Sequence, residues 1–290
     1  MDFLYQYLWF FFFYAFLGWC SEVCFAAIKN GCFVNRGFLN GPYCPIYGFG
    51  VCIVVFCLTP LEDNVAMLFI GSVIVASALE FVTGFLLEKL FHQKWWDYSH
   101  VPFNIGGYIC PLFSLLWGLA CVFIFKFIHP LTVKLVSVIP HALGVPLLCI
   151  MCIGIFTDLA ATVSTVLKLN QKLRRLDELA ARMRAASDDI GSALSDRTLT
   201  LAARGAERRS RRAEKAAACA QEDAARRAAR EKAVQRRNAA LRELKAANEE
   251  LLSTYHFGQR RLLRAFPHMR SVHHAEALEQ MKQRLRNLKK

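Results

Sequence analysis

The stretch Asn35-Arg-Gly-Phe-Leu-Asn-Gly-Pro-Tyr-Cys-Pro-Ile-Tyr-Gly-Phe-Gly50 lies between two long apolar runs, yet it holds four glycines, two prolines, two asparagines and an arginine. A straight helix cannot pass through it. Pro42 and Pro45 remove backbone donors, and the glycines admit positive φ angles that other residues avoid. Irregular backbone of this kind survives at membrane depth only where protein buries it or a watery cavity receives it. The residues alone also allow an ordinary Gly/Pro-rich surface loop, so the surrounding segments must decide.

Those segments read as membrane spans, giving an all-α, polytopic bundle of about five helices. Phe3 to Ile28 is the first. It opens on a dense aromatic run from Phe3 to Tyr14 and carries one interior ionisable group, Glu22. Its start at Asp2, its length and the lack of a small-x-small site argue against a cleaved signal. The second span, Ile46 to Leu58, is too short to cross a hydrocarbon core of about 30 Å alone. Part of Gly41–Tyr47 is therefore expected at membrane depth, as a re-entrant-like element over residues 35–50. Asn35, Gly37, Asn40, Gly41, Pro42, Pro45 and Tyr47 would shape it. Val65 to Leu90 is the third span, with Glu80 inside it. A second irregular stretch, Phe91 to Gly107, contains Trp95, Trp96, Asp97, Tyr98 and Asn104. The fourth span is expected over Tyr108–Ile128, followed by a short surface connector to His141. The fifth is Leu143 to Leu167, with Asp158 as its interior charge.

Charge separates these spans from the C-terminal part of the chain. Residues 1–168 contain 7 of the 36 Lys and Arg and 8 of the 23 Asp and Glu, a net of −1, whereas residues 169–290 carry +14. The chain divides accordingly into a transmembrane domain, 1–168, and a basic helical arm, 169–290. The positive-inside rule then places the N-terminus outside and the arm in the cytoplasm, although Lys126 and Lys134 fall on the minority side. Ten of the eleven cysteines are scattered through apolar runs of the first half, where they read as small hydrophobes and not as a disulfide framework.

In the arm, Leu169, Leu173, Leu176, Ala180, Met183, Ser187, Ile190 and Leu194 follow a heptad seam, which returns at Leu241, Leu244, Asn248, Leu251 and Tyr255. A helical hairpin and a coiled-coil homo-oligomer would both bury these stripes. Residues 202–240, rich in Ala, Arg and Glu, read as a solvated helix. Leu278, Met281, Leu285 and Leu288 add a last amphipathic stretch. The basic clusters Arg208, Arg209, Arg211, Arg212 and Arg226, Arg227, Arg236, Arg237 suit anionic lipid headgroups or an acidic partner. Nucleic acid fits them poorly because stacking aromatics are almost absent.

A carboxylate inside a span is costly and faces a partner or a cavity. Glu22, Arg36, Glu80, Asp97, Asn104 and Asp158 are therefore read as a polar intramembrane cluster, with Arg36 the counter-charge to Glu22 or Glu80. It is an ion-paired scaffold, a substrate or ion pathway, or a set of neutral, protonated carboxylates facing lipid. Enzymatic chemistry has little support. His92, His100, Asp97 and Glu88 match no metal-ligand spacing, and neither Gly-x4-Gly-Lys-Ser/Thr nor Gly-x-Gly-x-x-Gly occurs. No catalytic residue, metal or cofactor is assigned, and any ATP would be bound by a separate subunit.

Phe16-Leu-Gly-Trp19 with Glu22, together with Phe33 to Gly50, closely resembles the ABC-transporter permease family called type IV, or CmpB-like. Glu80, Leu87-Glu-Lys-Leu-Phe91, Trp95-Trp-Asp-Tyr-Ser99, Pro102-Phe-Asn104, Gly107-Tyr-Ile-Cys110 and Trp117-Gly118 resemble its second signature block. The likeness covers about residues 10–130. It implies a permease-like bacterial protein of the plasma membrane, transporting a solute that the likeness does not name. The alternative function is a membrane scaffold or sensor that recruits cytoplasmic partners or lipid through its basic arm.

Overall fold

A computed structural model describes residues 2–207, 216–256 and 258–287 of the 290. Arg208, Arg209, Arg211, Arg212 and Leu288 lie outside the described residues. The chain forms two compact units: residues 1–170 with 255–290, and residues 171–254.

In the first unit, α1 (Asp2–Asn30), α3 (Val65–Phe91), the continuous stretch α4 (Pro111–Phe123) to α5 (His129–Ser137), and α6 (His141–Glu207) are long and apolar enough to cross a membrane. Apolar side chains such as Phe25, Ile70, Ile74, Leu119, Phe123, Ile150, Ile153 and Phe156 point outward, as a hydrocarbon solvent requires. Inward, Tyr5, Phe10, Phe12, Tyr14, Val51, Val54, Val55, Leu58, Leu68, Phe125, Val136 and Leu148 form the core. A polar knot in it joins Tyr14, whose hydroxyl lies 3.0 Å from His129 Nδ1 and donates to Thr132 Oγ1 at 3.3 Å.

The second apolar run forms a shorter helix, α2 (Pro45–Leu58). Its 14 residues reach about 21 Å, less than the hydrocarbon core. Pro45 sits in its first turn, where a missing N–H costs nothing. The helix runs back along α1: an added Cβ on Gly48 would lie 2.7 Å from the Phe11 carbonyl, Cys52 Sγ faces Tyr7 O at 3.7 Å, and the Phe56 and Phe3 rings are 6.3 Å apart.

The fourth apolar run differs from the expected span and surface connector. It stays helical to Ser137, through a five-residue π-helical turn at Ile124–Ile128. Such a turn relaxes the hydrogen-bond ladder, and Pro130, at the start of α5, lies directly behind it. Lys126, on that turn, donates to the Glu62 carbonyl in the α2–α3 connection.

Helix α3 begins at Asn64, whose Oδ1 accepts from Ala66 N and Met67 N, both at 3.1 Å. Asn64→Ala removes this cap and is expected to cost about 1 kcal/mol, visible as a fall of a few degrees in the Tm of detergent-solubilised protein. An unchanged Tm would show that the cap contributes nothing.

Residues 255–290 pack within the same unit as residues 1–170, not with the arm to which their charge assigned them. They form α8 (Gln259–Ala265), β2 (Arg270–Ser271) and α9 (Ala275–Asn287). Strand β2 pairs antiparallel with β1 (Gln93–Lys94), Gln93 opposite Ser271. Leu262, Leu263, Met269, Leu278 and Met281 are buried there. Gly258 holds φ 82° at the start of α8, a left-handed angle that suits glycine.

In the second unit, the remainder of α6 and α7 (Ala216–Ser253) run antiparallel. Lys172 Nζ donates to Thr254 O at one end, and Arg237 pairs with Asp189 at 3.0 Å further along. Leu173 and Leu176, two members of the heptad seam, are fully buried.

Candidate functional site

The irregular segment between α1 and α2 folds back against the middle of α1. Trp19 donates its indole N–H to Asn35 Oδ1 at 2.8 Å, Arg36 Nε pairs with Glu22 Oε2 at 3.1 Å, and Cys44 N donates to the Ala15 carbonyl at 2.9 Å. Ala15 lies 13 residues into a 29-residue helix, about 20 Å along its axis. Residues 35–44 thus sit level with the apolar body of α1, where every backbone donor and acceptor needs a partner.

Those partners come chiefly from side chains. Asn35 closes its own turn: Oδ1 accepts from Gly37 N at 3.2 Å while Nδ2 donates to Asn40 O at 2.7 Å. Asp158 on α6 receives the next corner. Its Oδ1 accepts from Asn40 N at 3.1 Å and Asn40 Nδ2 at 2.8 Å, and its Oδ2 accepts from Gly41 N at 2.6 Å. Thr162, one turn later on α6, takes a further bond from Asn40 Nδ2 at 3.1 Å. Gly41 lets the backbone approach, since an added Cβ would stand 3.2 Å from Asp158 Oδ2. Pro42 has no N–H to satisfy. Leu39 is fully buried, while Phe38 packs its ring 5.1 Å from that of Trp95.

Glu22 is held from both sides, by Arg36 and by the Tyr47 hydroxyl, which donates to Oε1 at 2.6 Å. The Arg36 guanidinium also lies 4.9 Å from the Phe25 ring centroid. Tyr47 in turn stands edge-on to Trp117 of α4, with 5.7 Å between centroids. Glu80 belongs to an adjoining group, accepting from the Tyr98 hydroxyl at 3.3 Å. Burial, and then the Glu80 carboxylate beside it, push the Tyr98 hydroxyl above its ordinary range, with Arg36 opposing.

Asp97 and Asn104 organise the connection between α3 and α4. Asn104 Nδ2 donates to Val101 O at 2.8 Å and its Oδ1 accepts from Gly107 N at 3.0 Å. Asp97 accepts from Ser99 N at 3.0 Å, from the Ser99 hydroxyl, and from Arg270 at 2.8 Å. Burial opposes ionisation of Asp97, but the Ser99 and Arg270 hydrogen bonds, with Lys94 nearby, hold its carboxyl down at about 2. Because the folded value lies below the ordinary 3.8, the contribution of this carboxylate is complete above about pH 4 and is lost as the pH falls through about 2. Amide exchange over residues 97–107, corrected for intrinsic rates, is therefore expected to accelerate between pH 4 and 2 in the wild type. In Asp97→Asn it should not change across that interval; equal acceleration in both would remove Asp97 as the cause.

The structure thus brings together Glu22, Arg36 and Tyr47, and separately Asn35, Gly37, Asn40, Gly41 and Asp158, along one segment. It sets Glu80 beside Tyr98, and Asp97 and Asn104 in a connection outside the helices. Sequence reading missed the parts played by Trp19, Thr162, Tyr98 and above all Arg261. Thr162 lies four residues after Asp158, a spacing that places both on one helix face. Arg261 had no local signal. From α8 it reaches back to donate NH1 to Gly37 O at 2.7 Å and NH2 to Phe38 O at 2.9 Å. Among the described residues, no three His, Cys, Asp or Glu side chains are grouped to hold a metal ion. The arrangement sets two guanidiniums side by side, flanked by two carboxylates, along ten residues of ordered backbone.

Residues 9–163 match a family model described as "Putative ABC-transporter type IV". The chain belongs to this family. The matched region runs from α1 into α6 and so contains Glu22, Arg36, Asn40, Glu80 and Asp158, but neither the arm nor Arg261. No curated protein and no solved structure matches the chain.

Proposed function

We propose that this chain is the permease component of an ABC-type transporter, carrying a solute across the bacterial plasma membrane with its N-terminus outside and its arm in the cytoplasm. Family membership supports the class. The single observation that carries the reading is the Asn35–Cys44 segment, a polar, side-chain-satisfied piece of irregular backbone beside the middle of α1. Broken backbone at this depth is a recurrent device for building solute sites between membrane helices. The chain contains no phosphate-binding glycine motif, so a separate ATP-binding subunit would supply the energy.

The permease role is tested by purifying the tagged chain from its own membranes in mild detergent and assaying ATP hydrolysis. Co-purification of a nucleotide-binding subunit with ATPase activity is expected; its absence would count against the permease role. A scaffold or sensor role is the second reading, favoured by the exposed basic residues of α7, among them Arg230, Lys232, Arg236 and Arg242, which suit an acidic partner or anionic lipid. Lys172 and Thr254 touch, so residues 173–253 can be replaced by a short Gly/Ser linker. A permease keeps its ATP-driven flux after this change, and a scaffold loses its phenotype.

A further inference from the structure

The segment that returns after the arm closes on the candidate site. Arg261 grips two successive carbonyls, Gly37 O and Phe38 O, on either side of which lie Arg36 and the Asp158-bound corner at Asn40 and Gly41. Around this grip the segment meets residues 92–97 through backbone, charge and ring contacts. They include the two-residue β1–β2 pair, Val272 N donating to His92 O at 3.0 Å, the Arg270–Asp97 ion pair at 2.8 Å, Phe266 against Trp95 at 4.8 Å between centroids and His273 against His92 at 5.0 Å. Leu262, Leu263, Met269, Leu278 and Met281 of the same segment are buried. A segment held at one end by a two-carbonyl latch and beside it by a two-residue strand pair is suited to opening without global unfolding.

We propose that residues 255–290 are a closing cap over the Asn35–Cys44 segment, with Arg261 as its latch. Its regulatory meaning rests on reading that segment as part of a transport path, whereas its physical claim, control of access to the segment, does not.

Cys44, 5% exposed at the end of the capped segment, reports on the closure. Cys52, on α2 against Tyr7, serves as an internal reference. Alkylation of both by N-ethylmaleimide is followed by mass spectrometry in native membrane vesicles containing the full chain, with amide exchange of residues 37–44 measured in parallel. Arg261→Ala removes two charge-assisted hydrogen bonds. It is expected to raise Cys44 labelling and 37–44 exchange about tenfold or more, leaving Cys52 unchanged. Arg261→Lys, which keeps the charge but not the two-carbonyl fork, should give a smaller rise and serves if the alanine variant does not accumulate. Unchanged Cys44 labelling in the variant overturns the cap, and so does an equal rise at Cys52, which would mean general loosening. A selective Cys44 rise with no solute flux in any vesicle would sustain the cap while removing the transport reading.

Discussion

Asp158→Ala is expected to lower the unfolding free energy of the solubilised protein by about 2–4 kcal/mol, because it removes the shared acceptor of three part-buried donors at once. Asn40 N, Asn40 Nδ2 and Gly41 N all point at this carboxylate, and Asn40 Nδ2 keeps a second acceptor in Thr162 Oγ1. Asp158→Asn should be intermediate: one amide oxygen still accepts, while the NH2 group confronts a donor it cannot satisfy. Thermal or denaturant unfolding in detergent, with amide exchange localised to residues 35–44, measures both variants. An Asp158→Ala protein as stable as the wild type, with protected 40 and 41 amides, would mean that Asp158 does not anchor the segment.

The second large effect concerns function more than stability. Glu22 and Arg36 are each partly open, with side-chain exposures of 24% and 33%. Their pairing is therefore expected to contribute about 1 kcal/mol, nearer the value for surface pairs than for fully buried ones. Arg36→Ala should leave the fold intact, since Trp19, Asn35 and Asp158 still hold the segment, but it removes one of the fixed positive charges beside the proposed path. ATP-driven flux is expected to fall about tenfold or more, the effect of about 1.4 kcal/mol on a rate, with Arg36→Lys recovering part of it. In a double-mutant cycle, Glu22→Gln combined with Arg36→Ala should cost less than the sum of the two, as coupled neighbours do. Strict additivity would show that the ion pair is incidental.

Much of this arrangement was legible in the residues because the membrane leaves so few ways to satisfy a polar group. A Gly/Pro-rich stretch before an apolar run too short to span had to place irregular backbone at depth, and such backbone needs polar partners. Glu22, Arg36 and Asp158 were the available ones. Which pairs would form was not legible. Glu80 and Glu22 are equally expensive inside a span, and only the packing of α2 against α1 decides that Arg36 meets Glu22 while Glu80 faces Tyr98. Asp97 and Asn104 share the polar character of the site residues but serve their own connection, a distinction that composition cannot make. The continuity of α4 into α5 was hidden because Pro130 reads as a helix breaker, and the π-helical turn before it lies beyond periodicity rules. Arg261 was the hardest case. It is one of many arginines in a basic tail, and its contact with Gly37 spans 224 residues of sequence.

Whether the Asn35–Cys44 segment lines a transport path is the central question. The most direct measurement is ATP-driven flux in proteoliposomes containing the chain with the ATP-binding subunit expected to co-purify with it, screened over a panel of charged and polar solutes. Wild-type protein should move at least one solute, and Arg36→Ala should move it about tenfold more slowly while keeping the wild-type unfolding temperature to within a few degrees. Equal flux in the two proteins, or no ATP-driven flux for any solute, would contradict a transport path along this segment.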